Sequence, residues 1–593
     1  MSPTPTVPAS RIPVTAFLWL LVAIGLATLN APADLAATMF HLRVPDPDDA
    51  MRLVEVRDLV NGQGWYDLVQ HRFGPPAGIL SHWSRFVDAP LAAIVIAGTP
   101  FFGQPLAEGL AAAIWPSLLF GLYALILYRG IRARFGTRSA LIGLLVATQT
   151  LGVTIQFAAG RVDHHDVQLT AILGLVLAIA RGGGWAGLVA GLLGALSLAV
   201  GLEGLPFLAI GALFLTMDWV LRGRPALRAF LGFGLGLGLT TPLLFGGQTA
   251  PALWGRTACD ALSPPWLYLA AAGAGLSLVC AGLDRVLTRR RNRILLVAGA
   301  GAAVVAGFAS LFPICLSGPF TGMTELVRDH WLLKVNEMTN AATFIARGQW
   351  EALAFYPVVL LACLVATRSA VSGPQRRLFG LAAVMLWPGL ILGLTEFRGL
   401  YVVSGLVPLV AGPFIDGLLA RMGQGDAAPW RVWGNAAVAA GLISTAWIAP
   451  IALGETLLPQ VRTASNPGGA TSCLSDAALA PLAALPAGTV LAPVFMGPAI
   501  LLHTPHTVVA APYHRAVPNI AAALQGLGGT QDDLRRVSEA QGVLYLAACP
   551  ARPADDIQDA PAFATLLARG ETRADWLKPL PGSKTVKIWQ VAP

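Results

Sequence analysis

The sequence predicts a mostly α-helical bundle crossing a membrane many times, followed by a small α/β domain. Three observations predict it. Only 12% of the 593 residues are charged while 55% are hydrophobic, about half the charge of a soluble domain, and the mean hydropathy is +0.64. Thirteen apolar stretches of roughly span length run through residues 14–452. The gaps between them alternate in character, one set holding nearly all the arginine and the other set the acidic clusters. In lipid every backbone group needs an internal partner, so spans are helices or closed barrels, and these runs are too long and uniform for barrel strands.

Taken in order, residues 14–32 read as a retained first span, since the start of the chain lacks a Lys/Arg-rich head and a small-residue cleavage site. A long outer loop, 33–106, follows. Its apolar stretch 89–102, bounded by Pro90 and Pro100, is short for a span and suits an interfacial or re-entrant helix. Further spans are expected at 107–128, 140–158, 167–180, 184–200, 206–220, 229–247, 266–283, 294–313, 352–367, 379–394, 400–420 and 432–452. With the N-terminus inside, Arg129 to Arg138, Arg181, Arg222 to Arg228, Arg285 to Arg293, Arg368 to Arg377 and Arg421 to Arg431 all fall on the inner side, as the positive-inside rule requires. The outer side then holds the loops 33–106, 159–166 and 315–351. The membrane domain is placed at 1–454. Residues 455–593 are richer in Pro, Ala and polar residues, with β-like runs at Thr489–Leu491 and Thr507–Ala510, and read as one extracytoplasmic α/β domain.

The net charge of +8 is spread over short gaps between spans, so it reads as a topology signal and excludes nucleic acid as a partner. Of six cysteines, Cys280 and Cys363 lie in apolar runs, whereas Cys473 and Cys549 lie in the polar C-terminal region, where a disulfide is open to them if that region is extracytoplasmic. No spacing suggests a zinc site.

The acidic clusters carry the chemistry. Pro47 forces Asp46 out of the helical region, which puts Asp46, Asp48 and Asp49 at a helix start. Acids favour that position for the dipole alone, but they also suit a hard divalent cation drawing oxygens from separate segments. Asp163-His164-His165-Asp166 sits directly between two expected spans, where a carboxylate is costly without a partner. An oxygen-rich Mg²⁺ or Mn²⁺ site follows as the expected cofactor. Arg398, an arginine on the outer side, needs an anionic partner, either Glu396 or a phosphate.

Together these residues resemble the catalytic subunit of oligosaccharyltransferase, a GT-C glycosyltransferase. Asp46-Pro47 with Arg52 resembles the start of that family's first external loop, and Trp65-Tyr66-Asp67 its Trp-Phe-Asp-like element. Asp163 and Asp166 match its paired acids, Val335-Asn336-Glu337 its motif ending in Glu, and Arg398 with Pro408 downstream its late arginine. The resemblance covers roughly residues 14–452 and implies a metal held by Asp46, Asp163 and Asp166. The expected catalytic residues are Asp46, Asp48, Asp163 and Glu337, and the expected substrate contacts are Arg52, His82, His164, His165 and Arg398. The family's Trp-Trp-Asp-Tyr-Gly motif is absent, so protein N-glycosylation is not implied. The C-terminal region offers Tyr513, His514 and Arg515 instead. The expected reaction moves a sugar or oligosaccharide from a polyprenyl-phosphate or -pyrophosphate donor to an acceptor hydroxyl at the outer face of a bacterial inner membrane. Transfer of a single sugar onto lipid A or an envelope glycan is an alternative within the same chemistry. A lipid or sugar transporter is a rival of another class, but it would carry inverted repeats and charges near the midplane, and neither is evident. The acceptor stays open among glycan, lipid and protein.

Overall fold

The computed structural model describes residues 32–320, 322–422, 428–457, 473–552, 557 and 561–592. The first expected span lies outside these residues but for its last position. Among the described residues, eight helices are long and apolar enough to cross a membrane, or ten if each of two bent pairs is one span. The difference from thirteen arises where apolar runs are interrupted or short. The run 140–158 is helical only over Thr137–Ala147 and Leu151–Thr154. His165–Arg181 and Gly184–Val200 have 17 residues each, about 25 Å of helix at about 1.5 Å per residue. The stretch expected to be re-entrant is instead an 18-residue helix, Arg85–Phe102, apolar enough to be a span itself. It turns at Gly103, whose φ of 75° suits glycine, into the 32-residue Gln104–Phe135 helix.

The bends have causes. Arg398–Ser404 and Val407–Met422 meet at 50°, where Pro408 has no N–H for the next helical bond. The carbonyl of Gly405 accepts a bond from the Tyr123 hydroxyl at 2.7 Å. Pro429–Gly441 and Thr445–Ile451 meet at 84°. There the Ser444 hydroxyl accepts the Leu151 N–H at 2.9 Å and the Ser444 N–H reaches the Gln149 carbonyl at 3.1 Å, so two broken helices satisfy each other.

Small residues set the closest helix pair. A Cβ on Gly187, Gly191, Gly232 or Gly236 would come within 2.2–2.3 Å of a backbone oxygen of the facing helix. The Gly184–Val200 and Arg224–Gln248 helices therefore touch backbone to backbone.

The arginine-bearing gaps meet at one end of the bundle. Arg377 donates to the Ile179 carbonyl and pairs with Asp218. Arg134 reaches the Leu177 carbonyl at 3.3 Å, and Arg293 the Trp219 carbonyl at 2.9 Å.

The C-terminal residues form a five-stranded mixed sheet of order β4-β3-β5-β7-β6, after a two-stranded ribbon, β1 (Val69–Gln70) and β2 (Ile79–Leu80), in the first loop. Its strands are β3 (Thr489–Leu491), β4 (Thr507–Val508), β5 (Tyr545–Ala548), β6 (Leu577–Leu580) and β7 (Lys587–Val591). β3 runs parallel to β4 and β5, while β7 is antiparallel to β5 and β6. The sheet edge is joined to the first loop: Val508 accepts the Gly74 N–H at 3.0 Å and donates to the Arg72 carbonyl at 2.9 Å. Ala50, Met51, Leu53 and Val54 of the Pro47–Val60 helix share one apolar core with Val490, Ile500 and Leu501, and Arg57 donates to the Leu502 carbonyl at 2.6 Å. Cys473 and Cys549 are disulfide-bonded, and so are Cys259 and Cys315, a pair the sequence did not suggest.

Candidate active site

The site begins at the Pro47–Val60 helix. Asp46 is its N-cap, extended at φ −133° and ψ 148°, and accepts the Asp48 N–H at 3.0 Å. The helix start is pinned from above by the Tyr513 hydroxyl, which donates to the Pro47 carbonyl at 3.1 Å.

Asp49, fully buried, ties this helix to the turn before the His165–Arg181 helix. It accepts the N–H groups of Val162 at 2.8 Å and Asp163 at 3.1 Å, and the Arg161 guanidinium at 3.0 Å. The same guanidinium nitrogen lies 3.8 Å from Asp46 Oδ2, so Asp46 and Asp49 share one cation. Burial pushes the Asp49 carboxyl up to about 7, with Arg161 opposing.

Asp163 is likewise buried. Its Oδ1 is 2.6 Å from His164 Nδ1 and 3.7 Å from Arg52 Nη2. Its Oδ2 has no hydrogen-bond partner and lies 3.4 Å from His165 Nε2. That imidazole nitrogen is also 3.4 Å from Glu337 Oε1, which brings the second long loop to the cluster. His164 Nε2 faces Glu203 Oε2 at 3.0 Å. Burial alone would raise Asp163, but His164, His165 and Arg52 hold it well below the usual carboxylate range. Burial also works against ionised Glu337, and His165 overrides it, leaving the pKa lowered. Asp48 has no such cation. Burial and then Asp46, Asp163 and Glu337 push it well above its ordinary value.

Asp46, Asp48, His164, His165, Glu337 and Arg398 line a cavity of about 1240 Å³, while Asp49 and Asp163 are buried and do not. Arg398 pairs with Glu396 at 2.8 Å and lies 5.9 Å from the Phe320 ring.

Several residues picked from sequence stand elsewhere. Arg52 is fully buried and does not line the cavity. It pairs with Asp88 at 2.8 Å and lies over the Trp83 ring at 4.5 Å, so it supports Asp163 from behind. Asp166 is buried, takes the Val167 N–H at 2.7 Å and does not line the cavity. His165, not Asp166, stands between Asp163 and Glu337. Arg515 is held by Asp260 at 2.7 and 3.0 Å and by the Ser81 carbonyl at 2.8 Å. His514 bonds the same Asp260 at 2.7 Å and packs on His82 at 4.7 Å between ring centres. Both histidines and Tyr513 line the cavity. Trp65 and Tyr66 donate to the carbonyls of Gly247 and Gly246, which makes that element a brace. Sequence reading passed over Arg161, Glu203 and Asp260. Only Arg161 carried a signal, as an arginine on the outer side.

Two groups among the described residues bring at least three ligand atoms within 4.8 Å of one another: Asp163, His164 and His165, and His82, Asp260 and His514. In the second, Asp260 is already neutralised by Arg515. In the first, both nitrogens of His164 are engaged, whereas Asp163 Oδ2 is buried without a partner. Asp163 Oδ2 lies beside His165 Nε2, which is also 3.4 Å from Glu337 Oε1, a set of donor atoms of the kind that holds a divalent cation.

No protein-family model matches the sequence, and no curated protein matches it. Solved structures do. The oligosaccharyltransferase AglB of the archaeon Archaeoglobus fulgidus, in complex with an inhibitory peptide and a dolichol-phosphate, superposes with a TM-score of 0.61 at 15% identity, covering 90% of this chain and 69% of that one. The Archaeoglobus fulgidus oligosaccharyltransferase in complex with Zn and sulfate superposes at 0.59 and 15% identity, covering 90% and 68%. The chain therefore shares the fold of these oligosaccharyltransferases.

Proposed function

We propose that this chain is a membrane glycosyltransferase that moves a sugar from a polyprenyl-phosphate or -pyrophosphate donor to an acceptor hydroxyl at the outer face of a bacterial inner membrane. The observation that carries the proposal is the gathering of Asp46, His165, Glu337 and Arg398 around one cavity, with Asp163 buried against His165. Those residues come from four separate segments of the chain. The same fold holds dolichol-phosphate in one Archaeoglobus structure and Zn with sulfate in another, which supports an anion and a cation as neighbours in this cavity.

The roles follow from the geometry. Arg398 binds the donor phosphate, with Glu396 keeping the guanidinium in place. Asp163, His165, Glu337 and Asp46 would hold a divalent cation, which supplies charge neutralisation at the leaving phosphate. The acceptor oxygen forms its bond to the sugar C1 as the C1–O bond to phosphate breaks, and that electron pair stays on the phosphate. The acceptor proton passes to Asp48, which lines the cavity and whose carboxyl is pushed up by burial and then by Asp46, Asp163 and Glu337. The second long loop, with Trp331 to Glu337 on the cavity wall, screens the site from water.

Sidedness rests on two features. The arginine gaps meet away from the cavity, and the two disulfides, one beside Asp260, call for an oxidising compartment. Residues 455–593 are then a periplasmic domain, with Tyr513 and His514 on the cavity wall. The test is to purify the full-length protein and weigh the lipid it retains by mass spectrometry. A polyprenyl phosphate, with or without sugar, supports the reading. A bound lipid of another class, or none after incubation with polyprenyl phosphate, overturns it.

A further inference from the structure

Glu203 lies in the short link between the Gly184–Val200 and Leu205–Arg222 helices, 40 residues from Asp163, and no motif pointed to it. It is only partly exposed, at 24% for its side chain, and it lines the cavity. Its Oε2 takes two contacts at once: His164 Nε2 at 3.0 Å and the Gln168 side-chain N–H at 2.9 Å. The other nitrogen of His164 meets Asp163 Oδ1 at 2.6 Å. A line of bonded groups thus runs from Gln168 and Glu203 through His164 to Asp163.

The packing around this line leaves it one arrangement. A Cβ on Gly201 would lie 2.5 Å from Glu203 Oε2, 2.6 Å from His164 Cδ2 and 2.8 Å from Gln168 Nε2. Position 201 is therefore the floor under all three, and glycine is what lets them meet. Gly201 has an extended φ of 176°, so the need for glycine is room, not backbone conformation.

The consequence falls on Asp163. A carboxylate has two equivalent oxygens and turns easily about its terminal torsion. Here Oδ1 is committed to His164, so Oδ2 is the oxygen left without a hydrogen bond beside His165 and Glu337. His164 holds Oδ1 only while its ring is fixed at the far nitrogen. Without Glu203 the ring loses that anchor, and either Asp163 oxygen can turn toward His165.

We infer that Glu203 is a positioning residue: through His164 it selects which oxygen of Asp163 is presented to the cation site. This rests on the cation site proposed above. Groups that orient a ligand in this way change metal affinity about 10–100-fold when removed.

The experiment is a Mn²⁺ titration of the full-length protein in detergent, read by the electron spin resonance of the free ion, with each variant checked for folding by size-exclusion chromatography. Wild type is expected to bind Mn²⁺ at the cluster. Glu203→Gln keeps an oxygen acceptor in place and should bind within about threefold of wild type. Glu203→Asp keeps the charge but withdraws the oxygen, and Glu203→Ala removes it, so both should bind about 10–100-fold more weakly. Gly201→Ala, which leaves every member chemically intact, should weaken binding to a similar degree. In transfer assays the same three weak binders should lose kcat while KM for the lipid donor holds, because Arg398 is untouched. If Glu203→Ala does not fold, Glu203→Asp and Gly201→Ala carry the test. Glu203→Asp and Gly201→Ala binding Mn²⁺ as tightly as wild type would overturn this inference alone. A wild type that binds no Mn²⁺ would overturn the cation site and this inference with it.

Discussion

At the scale of single residues, burial and charge decide the roles, and they separate acids that look alike in sequence. Asp46, Asp48 and Asp49 are near neighbours in the chain, yet Asp49 is the brace. Its carboxylate is the partner of Arg161 and of two backbone N–H groups 113 and 114 residues away. Asp49→Ala would leave the buried Arg161 with only the more distant Asp46 carboxylate, and two backbone N–H groups without their acceptor, so it should cost about 3–5 kcal/mol, measured as lost thermal stability in detergent, and remove activity only as a consequence of unfolding. Glu55 gives a pH dependence. Burial and then Asp88 push its carboxyl up to about 7, against Arg52, whereas in the unfolded chain it ionises near about 4.3. The folded state keeps a proton that the unfolded state releases between those values. Stability should therefore fall as pH rises through that window and level off above it. Glu55→Gln removes the difference, so its melting temperature relative to wild type should rise from about pH 5 to about pH 8. A constant offset across that range would mean that Glu55 does not titrate there.

At the scale of elements, the apolar runs made most helices legible, because about 20 apolar residues in lipid leave the backbone few alternatives. The strand at Thr489–Leu491 and the one beginning at Thr507 were legible from their β-branched content, as was the helix start after Pro47. The breaks were not. The kink before Pro408 depends on Tyr123 supplying a bond to Gly405, and the break at Ser444 depends on a second break at Gln149 to Leu151. Neither partner is near in sequence. For the same reason Glu203 and Asp260 stayed hidden, since their meaning comes from His164 and from Arg515, each brought over by the fold. Asp166 was chosen over His165 because acids suit a hard cation, and the helix geometry turned the imidazole toward Glu337 instead. Glycine spacing makes a prediction here. Gly191→Leu must push its Cβ against the Phe233 carbonyl, 2.3 Å away as built, and force the two backbones apart. It should lower stability by about 1–3 kcal/mol, read by thermal unfolding, whereas Gly275→Leu, with open space at its Cβ, should cost well under that.

At the scale of the molecule, the bundle, the first loop and the C-terminal sheet are one mechanical unit around the cavity. The sheet edge is bonded to the first loop at Val508, the Pro47–Val60 helix shares its core with Ile500 and Leu501, and Tyr513 anchors the helix that presents Asp46 and Asp48. Four segments, from the first loop, the turn at Asp163, the second long loop and the Arg398 helix, contribute one polar group or more to the same wall. The overall architecture was legible in the alternation of arginine and acid along the chain, while the bonding of the C-terminal sheet edge to the first loop was not. The most direct measurement is sugar transfer from a polyprenyl-phosphate-linked donor to an added acceptor by the full-length protein in proteoliposomes, wild type beside Asp163→Asn. The account predicts transfer by wild type and at least about a hundredfold loss in the variant, with the variant folded and inserted. Equal transfer by both would contradict it.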